Sequence, residues 1–88
     1  DYSWAYYNLA SIAYKNENLE EAKDYLLKTI ETNPLDIEAY KLLTKICIKE
    51  TEYENIIEIL ETRLEKEENG DLYYILSQVY KFVEKEEN

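Results

Sequence analysis

Apolar residues recur at helical spacing through Tyr6, Leu9, Ala10, Ala13 and Tyr14, and the series then breaks in a polar turn around Asn16. Shifting these five positions by 34 lands on Tyr40, Leu43, Thr44, Cys47 and Ile48, and a further 33 gives Tyr73, Leu76, Ser77, Tyr80 and Lys81. Four of the five keep their character at each step: a large aromatic, a leucine, a small residue and a packing residue. Two more amphipathic stretches, 19–32 and 53–67, lie between the three series. The pattern predicts five helices in units of helix, short turn and second helix.

Local chemistry predicts where these helices begin and end. Asn18 with Glu21, and Thr51 with Glu54, are spaced to form capping boxes for the second and fourth helices. Pro34 cannot continue a helix, and Asp36 is placed to cap the third. Gly70 is expected to end the fourth helix in a left-handed conformation, with Asp71 capping the fifth. Leu9, Leu43 and Leu76 are expected in the centre of the core. Ala10, Thr44 and Ser77 are expected to be small because neighbouring helices approach closely at that level.

On these residues the chain resembles the tetratricopeptide repeat, whose signature is W-x2-L-G-x2-Y, then A-x3-F, then P. The first unit reads Tyr6-x2-Leu9-Ala10-x2-Ala13, then Ala22-x3-Leu26, then Pro34. The second reads Tyr40-x2-Leu43-Thr44-x2-Cys47, then Ile56-x3-Leu60, and closes at Asn69-Gly70 without a proline. The third, Tyr73-x2-Leu76-Ser77-x2-Tyr80, has only its first helix. Ile56, Thr29 and Arg63 depart from the small residues of the pattern. The resemblance implies an all-α domain of antiparallel helix-turn-helix repeats stacked as a short right-handed solenoid. Repeat one would be 1–36, repeat two 37–70, and 71–88 a capping helix or the start of repeat three.

Composition narrows the function. The chain has 88 residues, 20 acids against 10 bases and a net charge of −10, which argues against a nucleic-acid binder. It has no apolar run long enough to span a bilayer and no secretory leader pattern, so no membrane partner is expected. With one cysteine and no N-x-S/T acceptor, nothing marks an oxidising compartment, and the cytoplasm is the expected location. The start at Asp1, without an initiating Met, is expected to reflect a cut from a longer protein. The absence of histidine removes the usual general base and any histidine-containing metal site. Cys47 falls on a buried face, acid pairs such as Glu20-Glu21 and Glu67-Glu68 read as solvated helix faces, and no calcium loop is present. No catalytic activity, cofactor or metal is expected.

The charges are unevenly spread. The first-helix segments 1–16, 39–49 and 72–83 hold five bases (Lys15, Lys41, Lys45, Lys49, Lys81) and one acid, Asp1. The rest of the chain holds 19 acids and five bases. Lys41, Lys45 and Lys49, spaced i, i+4, i+8, share one helix face whatever the fold. A stripe that only balances nearby acids would not need aromatics beside it. Trp4 has two readings, a contact residue or packing against a preceding helix.

The resemblance implies that first helices line a concave groove. Trp4, Tyr7, Ser11, Tyr14 and Lys15 would face it, with Glu38, Lys41, Lys45, Ile48 and Lys49 from the third helix. The fifth helix would add Asp71, Tyr74, Gln78, Lys81 and Phe82. Aromatic walls beside a lysine ridge suit a peptide with acidic and apolar side chains. The family members that clamp chaperone C-termini use Lys, Asn and Arg at positions that here read Tyr7, Ser11, Leu42, Asp71 and Ile75, so that role is set aside. The expected function is a non-catalytic protein-protein interaction module. The alternative is a structural solenoid segment or a scaffold self-associating through its terminal helices.

Overall fold

The computed structural model describes residues 2–87, the side chain of Glu87 excepted, so Asp1 lies outside the described residues. The chain is all-α. Among the described residues there are five α-helices, α1 (Ser3–Lys15), α2 (Leu19–Thr32), α3 (Ile37–Lys49), α4 (Tyr53–Lys66) and α5 (Gly70–Glu87), and no strand. The predicted second and fourth helices match α2 and α4 to within a residue at either end. The fifth runs on past the apolar pattern into the charged stretch 84–87.

Two compact units divide the chain, Asp1–Ile46 and Cys47–Asn88, and the division falls inside α3. In the first unit α1 packs closely along α2, as the three-residue connection Asn16 to Asn18 requires of neighbouring helices. Its core is Ala10 and Ala13 from α1, Ala22, Leu26 and Thr29 from α2, and Ala39, Tyr40, Leu43 and Ile46 from α3. On α2 the buried positions 22, 26 and 29 are one stripe of a 3.6-residue helix. Thr29 is fully enclosed because its hydroxyl donates back to the Tyr25 carbonyl at 2.9 Å, which satisfies the polar group without a tertiary partner. Lys23 is largely buried along its stem and pairs with the exposed Glu20 at 3.0 Å. Outside that core, Tyr6 stacks on Tyr25 at 6.4 Å between ring centroids, and Lys28 Nζ sits 5.8 and 5.7 Å from the two rings.

In the second unit α4 packs on α5. The core is Cys47, then Ile56, Leu60 and Leu64 at i, i+4, i+8, then Leu72, Ile75 and Val79 at i, i+3, i+7. Fully burying side chains such as Leu60 and Leu72 stabilises the fold by about 1.5–3 kcal/mol each. Ile56 is completely buried where the repeat pattern has a small residue, and Arg63 is half-buried where Thr29 stands in the first unit.

The 34-residue period is written in the backbone. In the turn after α1, Glu17 N–H donates to the Tyr14 carbonyl at 3.0 Å and Asn18 N–H to the Ala13 carbonyl at 2.8 Å. After α3, Thr51 N–H donates to Ile48 at 3.1 Å and Glu52 N–H to Cys47 at 2.7 Å, which is the same pair of bonds moved by 34. Glu17 (φ 63°) and Thr51 (φ 56°) both take the left-handed conformation that closes such a motif. The starts of α3 and α5 match as well. Asp36 Oδ1 accepts from Ala39 N–H at 3.2 Å, and 33 residues on Asn69 Oδ1 accepts from Leu72 N–H at 3.1 Å.

These turns correct several expectations. Neither Asn18 nor Thr51 makes a side-chain cap: Asn18 precedes α2 without such a bond, and Thr51 is spent as the left-handed residue, leaving Glu52 in the cap position. Gly70 does not end α4 in a left-handed turn. It opens α5 with no positive φ, and Asn69 rather than Asp71 supplies the cap. Leu9 is not a core residue, being 43% exposed while its counterpart Leu43 is buried, and Leu76 is only half-buried. Ala10 and Thr44 are enclosed and half-enclosed, but Ser77 is exposed, so close approach does not explain its size.

Candidate functional site

The residues proposed for binding are carried by three helices, and each helix sets its own stripe. On α1, Trp4, Tyr7, Ser11 and Tyr14 follow one another at three- and four-residue steps, and Lys15 stands four residues after Ser11, so the five share one broad face. Trp4 and Lys15 are exposed, while Tyr7, Ser11 and Tyr14 are half-buried. That face borders the side that Ala10 and Ala13 press against the first core.

On α3 the lysines are opposite the core. Ala39, Tyr40, Leu43, Ile46 and Cys47 take the wide buried side, so Lys41, Lys45 and Lys49 project from the other, and all three are exposed. Glu38 shares that side and accepts from Lys41 Nζ at 3.3 Å across one helical turn. Both ends of this pair are solvated, so it contributes at most about 1 kcal/mol and leaves the lysine free to exchange partners. Ile48 is half-buried at the margin of the stripe.

On α5, Tyr74, Gln78 and Lys81 are exposed on the side away from Leu72 and Val79. Phe82 is not a free wall. It is half-buried and tilts against Tyr53 of α4, with centroids 5.7 Å apart and planes at 55°, so it fastens α5 to α4. Asp71 is exposed at the start of α5.

Trp4, Tyr7, Ser11, Tyr14, Lys15, Lys41 and Lys45 therefore belong to the first unit, and Ile48, Lys49, Tyr74, Gln78 and Lys81 to the second. Cys47, set aside as a nucleophile, is fully buried. No helix among the described residues is long and apolar enough to cross a membrane.

Two exposed apolar strips depart from the sequence pattern, which places Leu9 and Leu76 in the core. On α1, Leu9 and Ile12 (57% exposed) face outward beside half-buried Ala5, although their counterparts Leu43, Ile46 and Ala39 are all buried. The period carried a usable signal here, since Ile12 moves onto Ile46 and then Val79, which are apolar at every step. On α5, Tyr73 (49%) and Tyr80 (46%) flank half-buried Leu76. The Tyr80 hydroxyl donates to Glu61 Oε2 at 2.5 Å. That bond, with lesser contributions from desolvation and from the Glu61 charge, raises the Tyr80 pKa above its ordinary value of 10.0.

What these faces offer is contact chemistry: cationic points, aromatic surface and hydrogen-bonding amides. No family model matches the chain, and no curated protein does.

Proposed function

We propose that the chain is a tetratricopeptide-type repeat segment that serves as a non-catalytic interaction module. Its first-helix faces take a peptide segment that carries acidic and apolar side chains. The observation that carries this reading is the exposed Lys41, Lys45, Lys49 stripe of α3 in a protein of net charge −10. Support for the apolar part of the ligand comes from the exposed ring of Trp4, in the same unit as Lys41 and Lys45. Lysine ridges attract carboxylates at long range, and rigid aromatic side chains supply contact area at low entropic cost. The single cysteine and the lack of a glycosylation acceptor support a cytoplasmic setting.

The test compares the wild-type chain with a Lys41→Glu, Lys45→Glu variant. Proteins retained by the first and lost by the second are identified, and the acidic segment of the strongest is titrated by fluorescence anisotropy at low and high salt. The reading expects at least tenfold weaker binding by the variant and a flatter salt dependence. Equal affinity for both chains excludes the lysine face.

A second reading, a scaffold segment that associates through its end helices, is favoured by the uncovered Leu9 and Ile12 strip of α1. Sedimentation equilibrium distinguishes it. A monomer at every concentration rules out self-association, whereas an Ile12→Asp variant that dissociates an oligomer supports it.

A further inference from the structure

The second unit contains a shallow, open cleft of about 430 Å³ between α4 and α5, lined by Glu61, Leu64 and Glu65 on one side and by Tyr73 and Leu76 on the other. Tyr80 continues the α5 wall at the next turn, so Tyr73, Leu76 and Tyr80 form an i, i+3, i+7 strip. This strip is distinct from the face of Tyr74, Gln78 and Lys81. The residues one period earlier, Tyr40, Leu43 and Cys47, are exposed by only 2%, 1% and 0%. On α1 the matching Tyr6 is half-buried, its ring stacking on Tyr25 of α2. The same positions are therefore fully packed on α3, whereas on α1 Leu9 is exposed and on α5 Tyr73 and Tyr80 are left open.

The rim of the cleft states the charge of what would cover it. Glu61 and Glu65 line it directly, and the stretch 61–71 holds five acids against two bases. Glu61 accepts from the Tyr80 hydroxyl, which turns its carboxylate toward the α5 wall of the cleft. A second copy of the chain would bring ten more net negative charges toward this rim.

We propose that the α4–α5 cleft is a docking surface for a basic amphipathic helix of a partner protein. Its apolar side lies along Tyr73, Leu76 and Tyr80, and its lysines or arginines reach Glu61 and Glu65. Two parallel ridges with a groove between them are the shape that a third helix fills. This surface and its ligand are opposite in charge to the lysine face of α3, so the two proposals stand or fall separately.

The probe is a synthetic 18-residue helical peptide with leucines on one side and lysines along the flank, beside a control with every lysine replaced by glutamate. Both are titrated into the isotope-labelled 88-residue chain by NMR and anisotropy. The lysine peptide is expected to bind at least tenfold more tightly than the control and to shift the amides of Glu61, Leu64, Glu65, Tyr73 and Leu76. Glu61→Lys with Glu65→Lys should weaken it at least tenfold. Tyr73→Ser, which leaves the carboxylates in place, should weaken it at least threefold. Circular dichroism checks that both variants keep their helices. The proposal is overturned by equal binding of the two peptides, by shifts centred elsewhere, or by affinity unchanged in both variants. Concentration-dependent shifts at the same amides without peptide would assign the cleft to self-association and overturn it as well.

Discussion

Leu9 and Leu43 occupy the same place in the repeat and have opposite environments, one 43% exposed and the other buried. Leu43→Ala should cost about 2–5 kcal/mol, from the lost transfer energy and the cavity left behind, whereas Leu9→Ala should stay near 0.5 kcal/mol. Urea denaturation of the two variants checks this, and similar losses would mean that Leu9 is covered in solution. The amphipathic pattern identified Leu43 correctly and Leu9 incorrectly for one reason. Spacing along a helix tells which residues share a face, but not whether a neighbour covers it. Tyr80 makes a second prediction. Its raised pKa means that the protonated phenol is the form the fold favours, so the contribution of its bond is complete below pH 10 and is lost as pH rises through the folded value. Glu61→Gln should move the Tyr80 midpoint back toward 10.0 in a site-resolved NMR titration, because it removes the charged acceptor.

At the scale of the helices, α2 and α4 were legible nearly to the residue from their apolar stripes, and the start of α3 from Asp36. The turns between paired helices were not. They rest on left-handed Glu17 and Thr51, residue types that give no sign of that conformation, and the one glycine in the chain sits elsewhere, at the start of α5. A β-branched residue is poorly suited to positive φ, and left-handed backbone costs an L-residue about 1–2 kcal/mol. Thr51→Gly should therefore stabilise the protein by about 1 kcal/mol and raise Tm by roughly 4–8 °C for a domain of this size. Differential scanning calorimetry would show it. A drop in Tm would mean that the Thr51 hydroxyl, which donates to the Glu50 carbonyl at 2.6 Å, contributes more than the backbone loses.

Over the whole molecule, 20 acids against 10 bases leave an excess of like charge that opposes compaction. Screening it should stabilise the fold. Raising sodium chloride from about 20 to 300 mM, across which the Debye length shrinks to well under 10 Å, should raise the urea midpoint. A falling midpoint would show that attractive pairs such as Glu38 with Lys41 outweigh the general repulsion. The candidate site was legible at this scale only as an uneven distribution of charge. The lysine stripe followed from spacing alone, whereas the acid-rimmed cleft depended on which residues of α4 and α5 meet, and that information is tertiary.

Cys47 gives the molecule a built-in reporter. It is the single cysteine of the sequence, fully buried, and it stands at the first position of the second unit, near the C-terminal end of the continuous helix α3. A thiol reagent can reach it only through a transient opening of the packing that covers it, so the rate of modification reports how often that opening occurs. The sulfur thereby converts the breathing of the packing around it into a chemical clock, readable without mutation.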